Sequence, residues 1–332
     1  MNLWTRRQFA LSLATLPAFA GSYAQDLFSP AGKQPTGFMY DPAFLRHDVP
    51  HLHPECPARL TAIIDEMKRT SLDQRIQSLN IDVDALPYLP LVHSVEQIRK
   101  IRAMPITGDV ATKAVSGALS AVKAVCVGSL RNAFCALRPP GHHARNTGQE
   151  EGFCYFNNVA IAARYAQKVH GIKRIAIIDW DCHHGNGTEE AFYEDGSVLY
   201  FSTHNRHAYP GTGDPKRTGK GAHRGLNINV HLPCGAGDRD FYRVWDEKLM
   251  PAADRFKPDL VLISAGFDAR ENDPLGCFKM SDIGFIELTK RAMLIADRYA
   301  GGRLVSVLEG GYNINGLGKA ACAHLSALAG IV

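Results

Sequence analysis

The sequence predicts an α/β protein with a parallel sheet covered by helices on both faces. Short runs of β-branched or aromatic residues, bounded by proline and glycine, are typical of buried strands. Helical patterns, with apolar residues three and four positions apart, lie between these runs. Such alternation favours a parallel sheet whose ligand site lies beyond the carboxyl ends of its strands. The predicted strands are 134–137, 174–180, 198–202, 226–230, 260–265 and 303–308, and the predicted helices are 58–79, 110–130, 157–170, 240–256, 281–300 and 314–328.

The composition excludes disorder as the general state of the chain. Of 332 residues, 45% are hydrophobic and 21% are charged, whereas disordered chains carry fewer apolar residues and more charge. No repeat, linker or low-complexity run interrupts residues 25–332, which favours one domain there. The formal net charge of +4 includes Arg6 and Arg7. This excess is too small and too dispersed for a nucleic-acid-binding surface, so no nucleic-acid partner is expected.

The amino terminus has the pattern of an export signal. An apolar stretch over 9–20 is shorter than the about 20 residues needed to span a bilayer. Small residues at alternate positions follow it, which is the pattern of a signal-peptidase site, with cleavage expected after Ala24 or, second, after Ala20. The alternative is an amphipathic first helix, but the stretch has no polar face. The sequence therefore predicts a signal peptide over 1–24 and a mature domain over 25–332.

The pair Arg6 and Arg7, followed by Phe9 and Leu11, resembles the signal of the bacterial twin-arginine pathway, which carries folded proteins. The resemblance implies the twin-arginine translocon as a partner during export. It also implies a periplasmic enzyme without stable membrane association.

The eight cysteines are scattered singly, without the CxxC pair that is typical of zinc ribbons and redox motifs. A chain of this length can bury a core without disulfides. Most of the cysteines are therefore predicted to be small buried hydrophobes, while one disulfide stays open for an exported protein.

A dense polar cluster follows the predicted strand 174–180. Alternate residues of an extended chain face the same side, so Asp181 and His183 can converge on one ion, with Asp179 one step behind. Asp268 follows the strand 260–265 and offers a second carboxylate. Two carboxylates and one imidazole leave a coordination position open, as in catalytic sites for zinc or ferrous iron. The alternative, that the two aspartates cap helices, does not explain the neighbouring histidines.

Two further clusters supply acid–base groups. After the strand 134–137, two prolines and a glycine fix a rigid turn that leads into His142 and His143. One imidazole can accept a proton while the other supplies electrostatic stabilisation or protonates the leaving amine. After the last strand, two glycines precede Tyr312, whose phenol, with an ordinary pKa of about 10, can donate to an oxyanion. A metal, a base and an oxyanion donor together predict a metal-assisted acyl hydrolase.

These segments resemble the histone deacetylase superfamily, which also includes acetylpolyamine amidohydrolases and shares its fold with arginase. The resemblance covers about residues 38–330 and implies a single-domain arginase/deacetylase-like α/β fold. The cluster 181–188 is similar to the class II branch, in which asparagine stands at the position of Asn186. The motifs that arrive in the family's order are 53–59, 138–144, 152–160, 179–188, 209–213, 264–269 and 309–312.

The resemblance implies a role for each of several groups. The Zn²⁺ ligands would be Asp181, His183 and Asp268, with Fe²⁺ as an alternative ion. The catalytic residues would be His142, His143 and Tyr312, with Asp179 orienting His142 and Asn186 next to His143. A structural K⁺ would be held by Asp179, Ser202 and the backbone carbonyls of Asp181, His183 and Thr203. An acyl-lysine tunnel would be lined by Gly152, Phe153, Tyr209 and Leu275, and an acetate channel by Arg59.

The chain departs from the family pattern in the short connection 102–108. Many members carry an aspartate there that binds the substrate backbone, and Asp109 is the only candidate, so a more open tunnel mouth is expected. His47, His51 and His53 could form a second metal site, but we interpret them as structural or rim residues. At the rim, Leu275 stands where polyamine-selective members carry a glutamate. An apolar rim predicts a preference for acyl-lysine over acetylpolyamines, since a cation there loses hydration without gaining a partner.

Three functions remain open from the sequence: a zinc deacylase, a non-catalytic acyl-lysine binder, and a hydrolase of another small amide or ester. The presence of every acid, base and ligand favours an enzyme over a binder. The third function is not excluded, because the same metal site cleaves any small acyl group that reaches it. Export disfavours histone as the physiological substrate, so an acylated amine or acyl-lysine is expected.

Overall fold

Between residues 34 and 332, eight strands form one sheet. The computed structural model describes residues 34–332, so the predicted signal peptide and its cleavage site lie outside the described residues. The strands are β1 (Thr36–Met39), β2 (Gln77–Leu79), β3 (Asn132–Cys135), β4 (Ile175–Asp179), β5 (Val198–Asn205), β6 (Asn227–Leu232), β7 (Leu260–Ala265) and β8 (Leu304–Leu308). Neighbouring strands are parallel in the order β2-β1-β3-β8-β7-β4-β5-β6. All carboxyl ends therefore lie at one edge of the sheet.

Helices connect the strands and cover both faces of the sheet. They are α1 (Ala58–Arg69), α2 (Val95–Arg102), α3 (Thr107–Cys126), α4 (Asn158–His170), α5 (Asn186–Phe192), α6 (Asp238–Val244), α7 (Met250–Phe256), α8 (Asp282–Tyr299) and α9 (Ile314–Leu328). One π-helical turn over Trp245–Leu249 joins α6 to α7. Helix α3 packs on α4 and on strands β1, β3 and β8, while α9 packs between α1 and α8. The predicted α/β fold with a parallel sheet is confirmed.

The central strands are buried along their whole length. Every residue of β4 and of β7 is buried, and both strands are nearly continuous runs of β-branched and other apolar residues, as expected when helices cover both faces. Aromatic side chains fill the space between sheet and helices: the rings of Trp180 and Trp245 lie 5.9 Å apart, and those of Phe134 and Phe267 lie 6.2 Å apart. This packing fixes the strand ends from which the site is built.

Some predicted boundaries are wrong. The predicted helix 58–79 ends at Arg69, because Ser71 adopts a left-handed conformation with φ of 54° and the chain then turns into β2. Helix α2 was not predicted; Ser94 caps it by accepting a hydrogen bond from the Gln97 backbone N–H at 3.1 Å. Helix α3 begins at Thr107, so the connection after α2 is shorter than the predicted loop. Asp109 lies exposed in the first turn of α3.

Within residues 34–332, no helix combines the length and the apolar character that crossing a bilayer requires.

Candidate active site

The predicted catalytic segments meet at the carboxyl ends of four adjacent strands. Strands β3, β8, β7 and β4 are neighbours in the sheet, so the loops that follow them lie side by side. These loops carry, in sheet order, His142 and His143, then Tyr312, then Asp268, and then Asp181 and His183.

The three predicted metal ligands form a tight, buried group. His183 Nδ1 lies 3.0 Å from Asp181 Oδ1 and 3.0 Å from Asp268 Oδ2. A tetrahedral ion with ligand bonds of about 2.0–2.1 Å separates its ligand atoms by about 3.3 Å, which is close to the observed spacing. The remaining carboxylate oxygens are held by the backbone, since Gly310 N–H donates to Asp181 Oδ2 and Cys182 N–H donates to Asp268 Oδ1, both at 2.8 Å. The donor set therefore fits a divalent ion such as zinc.

Cys182 also lies in this group, although the sequence did not identify it as a ligand. One ligand atom from each of Asp181, Cys182, His183 and Asp268 lies within 4.8 Å of the others. Burial raises the pKa of the Cys182 thiol well above its ordinary value, whereas cysteine binds metal as a thiolate. The two carboxylates and the imidazole are therefore the favoured ligands.

His142 is held from two sides. Its Nδ1 lies 3.1 Å from Asp179 Oδ2, and its backbone N–H donates to Glu309 Oε2 at 3.1 Å. Burial by itself lowers the pKa of His142, but the carboxylates of Asp181 and Asp179 outweigh burial and raise this pKa to about 10. The protein groups around His142 thus favour its cationic form.

His143 stands in a different environment and lines a cavity. Its Nδ1 lies 2.8 Å from Asn186 Oδ1. Because that amide oxygen accepts, Nδ1 carries the proton and Nε2 keeps a free lone pair. Burial lowers the pKa of His143 well below its ordinary value, and the nearby charge of His142 lowers it further. The two histidines, whose ring centroids lie 4.0 Å apart, are therefore suited to different roles.

Tyr312 is buried at the same cavity. Burial raises the pKa of its phenol well above the ordinary value, so the group stays protonated. The Arg59 guanidinium lies 5.0 Å from the centre of the Tyr312 ring, and its Nε–H donates to the Gly311 carbonyl at 2.7 Å. Arg59 is itself fully buried and paired with Glu55 at 3.0 Å. It thus supports the loop that carries the phenol.

The predicted tunnel residues line one cavity of about 470 Å³. The Phe153 ring lies 5.9 Å from the Tyr312 ring, and the Tyr209 ring meets His143 edge-on at 5.0 Å. The lining residues are His143, Glu150, Gly152, Phe153, His183, Ala208, Tyr209, Leu275 and Tyr312. The cavity thus brings together the apolar walls, a predicted metal ligand, a predicted base and a phenol. A family model described as "Histone deacetylase domain" matches residues 53–328.

The chain belongs to the histone deacetylase family.

Its relatives agree with this assignment. The chain is 38% identical over 297 residues to a probable deacetylase of Archaeoglobus fulgidus, a match that covers 85% of this chain and 82% of that protein. It is 36% identical over 310 residues to human polyamine deacetylase HDAC10, covering 85% of this chain and 46% of that protein. The chain therefore spans about half the length of this second relative. These relatives support a deacetylase, which is an amidohydrolase, as the activity of this chain.

A solved structure confirms the deacetylase fold. The chain superposes on the crystal structure of the HDA15 HD domain with a TM-score of 0.84 and 33% identity. The superposition covers 90% of this chain and 91% of that one.

In this deacetylase two of the predicted potassium residues lie on neighbouring strands, Asp179 at the end of β4 and Ser202 within β5. Asp179 and Ser202 are register partners on β4 and β5, and both are fully buried. Carboxylate, hydroxyl and carbonyl oxygens are ligands of hard cations. Tyr200 O–H donates to Asp179 Oδ2 at 3.1 Å, and the Asp181 backbone N–H donates to Asp179 Oδ1 at 3.1 Å.

Two buried carboxylates hold the deacetylase site together, and sequence reasoning assigned no role to either. Glu309 accepts from the backbone N–H of Gly141 at 2.7 Å and from Ser264 Oγ at 3.1 Å, so it ties the His142 turn to β7 and β8. Burial raises the pKa of Glu309 to about 7. Asp273 Oδ2 accepts from the N–H of Tyr312 at 2.7 Å. The sequence contains a signal for both residues, because a carboxylate next to a buried strand or turn must accept hydrogen bonds from backbone N–H groups.

The loop between Asp268 and α8 is anchored by a disulfide. Cys234 and Cys277 are bonded, which is the single disulfide in residues 34–332 and which the sequence left open. The backbone adds to the anchor, because Gly235 N–H donates to the Cys277 carbonyl at 2.8 Å and Lys279 N–H donates to the Ala236 carbonyl at 2.8 Å. This loop also carries Leu275, which is 41% exposed.

The other candidate residues do not belong to the group of predicted metal ligands. His47 is buried 3.6 Å from Glu55, and the His53 ring packs edge-on against Phe153 at 4.6 Å. In the part of the chain that the structure describes, these histidines belong to no metal-binding cluster. Asp109 does not line the cavity, so the described residues place no aspartate from α3 at the mouth.

Proposed function

We propose that the chain is a zinc-dependent deacylase that removes acetyl or similar small acyl groups from acyl-lysine or another acylated amine. The observation that carries this proposal is the triad of Asp181, His183 and Asp268 beside a cavity that also exposes His143 and Tyr312. Fe²⁺ would suit the same donor set. When bound, the ion supplies Lewis acidity, which polarises an acyl carbonyl and makes water more acidic.

The side chains around the cavity supply the remaining chemistry. His143 Nε2, whose lone pair is free, accepts the proton of the attacking water and later delivers it to the leaving amine. His142 stabilises the developing negative charge, with Asp179 holding its Nδ1 in place. The Tyr312 phenol donates a hydrogen bond to the oxyanion. The rings of Phe153 and Tyr209 pack against the alkyl chain of the substrate through apolar contacts.

Two further features belong to the proposal. A structural K⁺ would sit among Asp179, Ser202 and the carbonyls of Asp181, His183 and Thr203. The enzyme would be exported to the periplasm by the twin-arginine pathway after Arg6 and Arg7 are recognised. The Cys234–Cys277 disulfide supports an oxidising compartment, because disulfides persist there and are rare in the cytosol.

Hydrolysis by the purified protein tests the activity. The protein, starting at Gln25, is incubated with an acetyl-lysine peptide, a trifluoroacetyl-lysine peptide and N8-acetylspermidine, and its zinc and iron are measured by elemental analysis. We expect release of acid from at least one acylated amine, loss of that activity on chelation and recovery with zinc. Acetylspermidine is included because a relative at 36% identity is a polyamine deacetylase. Metal-loaded protein that binds these amines without turnover would contradict the proposal and indicate a binder.

A further inference from the structure

The cavity next to His183 has a charged wall that the sequence analysis did not identify. Glu150 lines it together with Tyr209 and Leu275, and its side chain is exposed. The backbone N–H of Phe153 donates to Glu150 Oε1. This hydrogen bond holds the carboxylate next to the aromatic wall, while the second carboxylate oxygen is left for another partner.

The charge of Glu150 is not neutralised by the protein. The adjacent Glu151 is buried and paired with Arg145, whose Nε–H donates to Glu151 Oε1 at 3.0 Å. Arg145 also lies 3.7 Å from Glu190. Glu150 itself forms no ion pair with any residue between 34 and 332.

The other residues that line the cavity, all of them within 34–332, include no carboxylic acid, lysine or arginine. Among the nine residues that line it in the described chain, Glu150 is the only carboxylic acid, and none is lysine or arginine. A cation that enters the mouth therefore meets one fixed negative charge and no fixed positive charge of a lysine or arginine.

We propose that Glu150 is a specificity-determining residue that binds a second positive charge on the acylated amine. This inference rests on the proposed function and names its substrate class: small acylated amines with an ammonium group one alkyl chain away. In free Nε-acetyl-lysine a butylene spacer separates the acyl nitrogen from the carbon that carries the α-ammonium. In N8-acetylspermidine a butylene spacer separates the acyl nitrogen from the next ammonium. Either cation would lie near the mouth when the acyl group reaches Tyr312 and His183.

Leu275 and Glu150 lead to opposite expectations for such substrates. Leu275 offers apolar surface, so by itself it predicts that a second cation is disfavoured. Glu150 offers a partner for that cation on the side of the mouth formed by the loop 150–153. The measured preference between a cationic substrate and its neutral analogue therefore decides which residue controls specificity.

The test compares wild type with Glu150→Gln on two matched substrates. These are Nε-acetyl-lysine amide with a free α-ammonium and the same compound with a neutral Nα-formyl group. The glutamine side chain of this variant keeps an oxygen that can accept from the Phe153 N–H but lacks the negative charge. We expect wild type to favour the cationic substrate, and the variant to lose about three- to tenfold in kcat/KM on it, mainly through KM. Activity on the neutral substrate stays within about twofold, and added salt weakens the wild-type preference because the contact is exposed.

Two further variants separate charge from structure. Glu190→Gln removes a neighbouring negative charge that does not line the cavity, so it should leave the preference unchanged. Glu150→Ala removes both the charge and the acceptor for the Phe153 N–H, and thermal unfolding checks that it is folded. Leu275→Glu, which adds a second carboxylate at the mouth, should raise kcat/KM for N8-acetylspermidine.

The outcomes separate this inference from the proposed function. Equal losses on both substrates in Glu150→Gln, or no loss on either, would show that Glu150 only positions Phe153 and would overturn the inference alone. A wild-type preference for the neutral substrate would also overturn it and favour Leu275 as the controlling residue. Wild-type protein that hydrolyses neither substrate would overturn both the proposed function and the inference.

Discussion

In the proposed mechanism Asp268 and Tyr312 supply different chemistry to the same site, so their loss should have different consequences. Asp268 Oδ2 lies 3.0 Å from His183 Nδ1 in the predicted ligand group, and without it a bound ion would lose a charged ligand. Tyr312 is not one of the predicted ligands. We expect Asp268→Ala to lose bound metal and activity together, and Tyr312→Phe to keep its metal while turnover falls roughly 100-fold or more, the usual cost of one oxyanion donor. Elemental analysis and steady-state kinetics measure the two effects.

The contrast between these variants makes each assignment testable separately. Full metal occupancy in Asp268→Ala would refute its role as a ligand. Near-normal turnover in Tyr312→Phe would refute the oxyanion role of the phenol. The double variant Asp268→Ala, Tyr312→Phe shows whether both residues act in one reaction. The losses in activity of residues that act as a unit are not additive.

Asp273 is a positioning residue whose effect should appear in turnover. Its Oδ2 accepts from the backbone N–H groups of Tyr312 and Asn313 at 2.7 and 3.0 Å, and its Oδ1 accepts from Leu275 at 2.9 Å. Asp273→Ala leaves these donors without their partner, and each buried unpaired donor costs about 1–3 kcal/mol. We expect a lower free energy of unfolding and a lower kcat at unchanged metal content. Asp273→Asn keeps one oxygen acceptor and should recover part of kcat, and equal kcat in both variants would contradict a positioning role.

At the scale of elements, the sequence located the strands that carry chemistry better than those at one edge of the sheet. The predicted strands 174–180 and 260–265 match β4 and β7 closely, because buried parallel strands are continuous β-branched runs. β1 and β2 are only four and three residues long and were missed, since their pairing depends on distant segments of the chain. Helix α5 was missed as well, because its first residues belong to the catalytic motif.

The same reasoning explains which site residues could be predicted. Asp181, His183 and Asp268 directly follow predicted strands, so the rule for parallel sheets placed them together. Glu150 and Asp273 lie within loops, and their partners are set by how two loops fold against each other. That information depends on three-dimensional contacts such as the bond from Tyr312 N–H to Asp273, which periodicity along the sequence does not contain.

The Cys234–Cys277 disulfide should stabilise the loop that carries Leu275. The two cysteines are 43 residues apart in sequence, and cross-linking a loop of this size typically stabilises a protein by about 2–4 kcal/mol. We expect wild type to unfold at a lower temperature when reduced, and the double variant Cys234→Ser, Cys277→Ser to match reduced wild type with or without reductant. Turnover should change little, because Gly235 N–H still donates to the Cys277 carbonyl.

A matched control uses a cysteine that is free in the structure. Cys126→Ser changes a half-buried thiol outside the disulfide, so its melting temperature should still depend on reductant. A wild-type melting temperature that is the same in oxidised and reduced protein would contradict the disulfide.

For the whole molecule, buried neutral histidines predict acid destabilisation. Burial lowers the pKa of His47 and of His93 to about 4, and that of His324 to about 3. These values lie below the ordinary value of about 6.5 expected in the unfolded chain. Between pH 6.5 and 4 the unfolded chain therefore binds more protons at these three histidines, so the stability that they contribute is fully present above pH 6.5 and is lost as the pH falls.

We expect each such histidine to contribute a fall of about 1.4 kcal/mol per pH unit to the free energy of unfolding. Denaturant titrations across this pH range measure the slope. His93→Gln is the matched variant, because a glutamine oxygen can accept from the Asn157 N–H, which His93 Nε2 accepts at 2.9 Å. The His93→Gln variant should lower the slope by the contribution of one proton, which is about 1.4 kcal/mol per pH unit. An unchanged slope would show that His93 is not neutral in the folded protein.

The location of the whole enzyme is tested through its amino terminus. The variant Arg6→Lys, Arg7→Lys keeps both positive charges but loses the planar guanidinium pair that the twin-arginine translocon reads, since lysine does not reproduce that geometry. We expect wild type in the periplasm with Gln25 as its first residue, and the variant in the cytoplasm with its signal peptide attached. Fractionation and mass measurement of the amino terminus check this.

The control variant Arg224→Lys, Arg239→Lys, which makes the same change at two exposed positions of the domain, should be exported normally. If the amino-terminal variant still reaches the periplasm processed at Gln25, another route carries the protein.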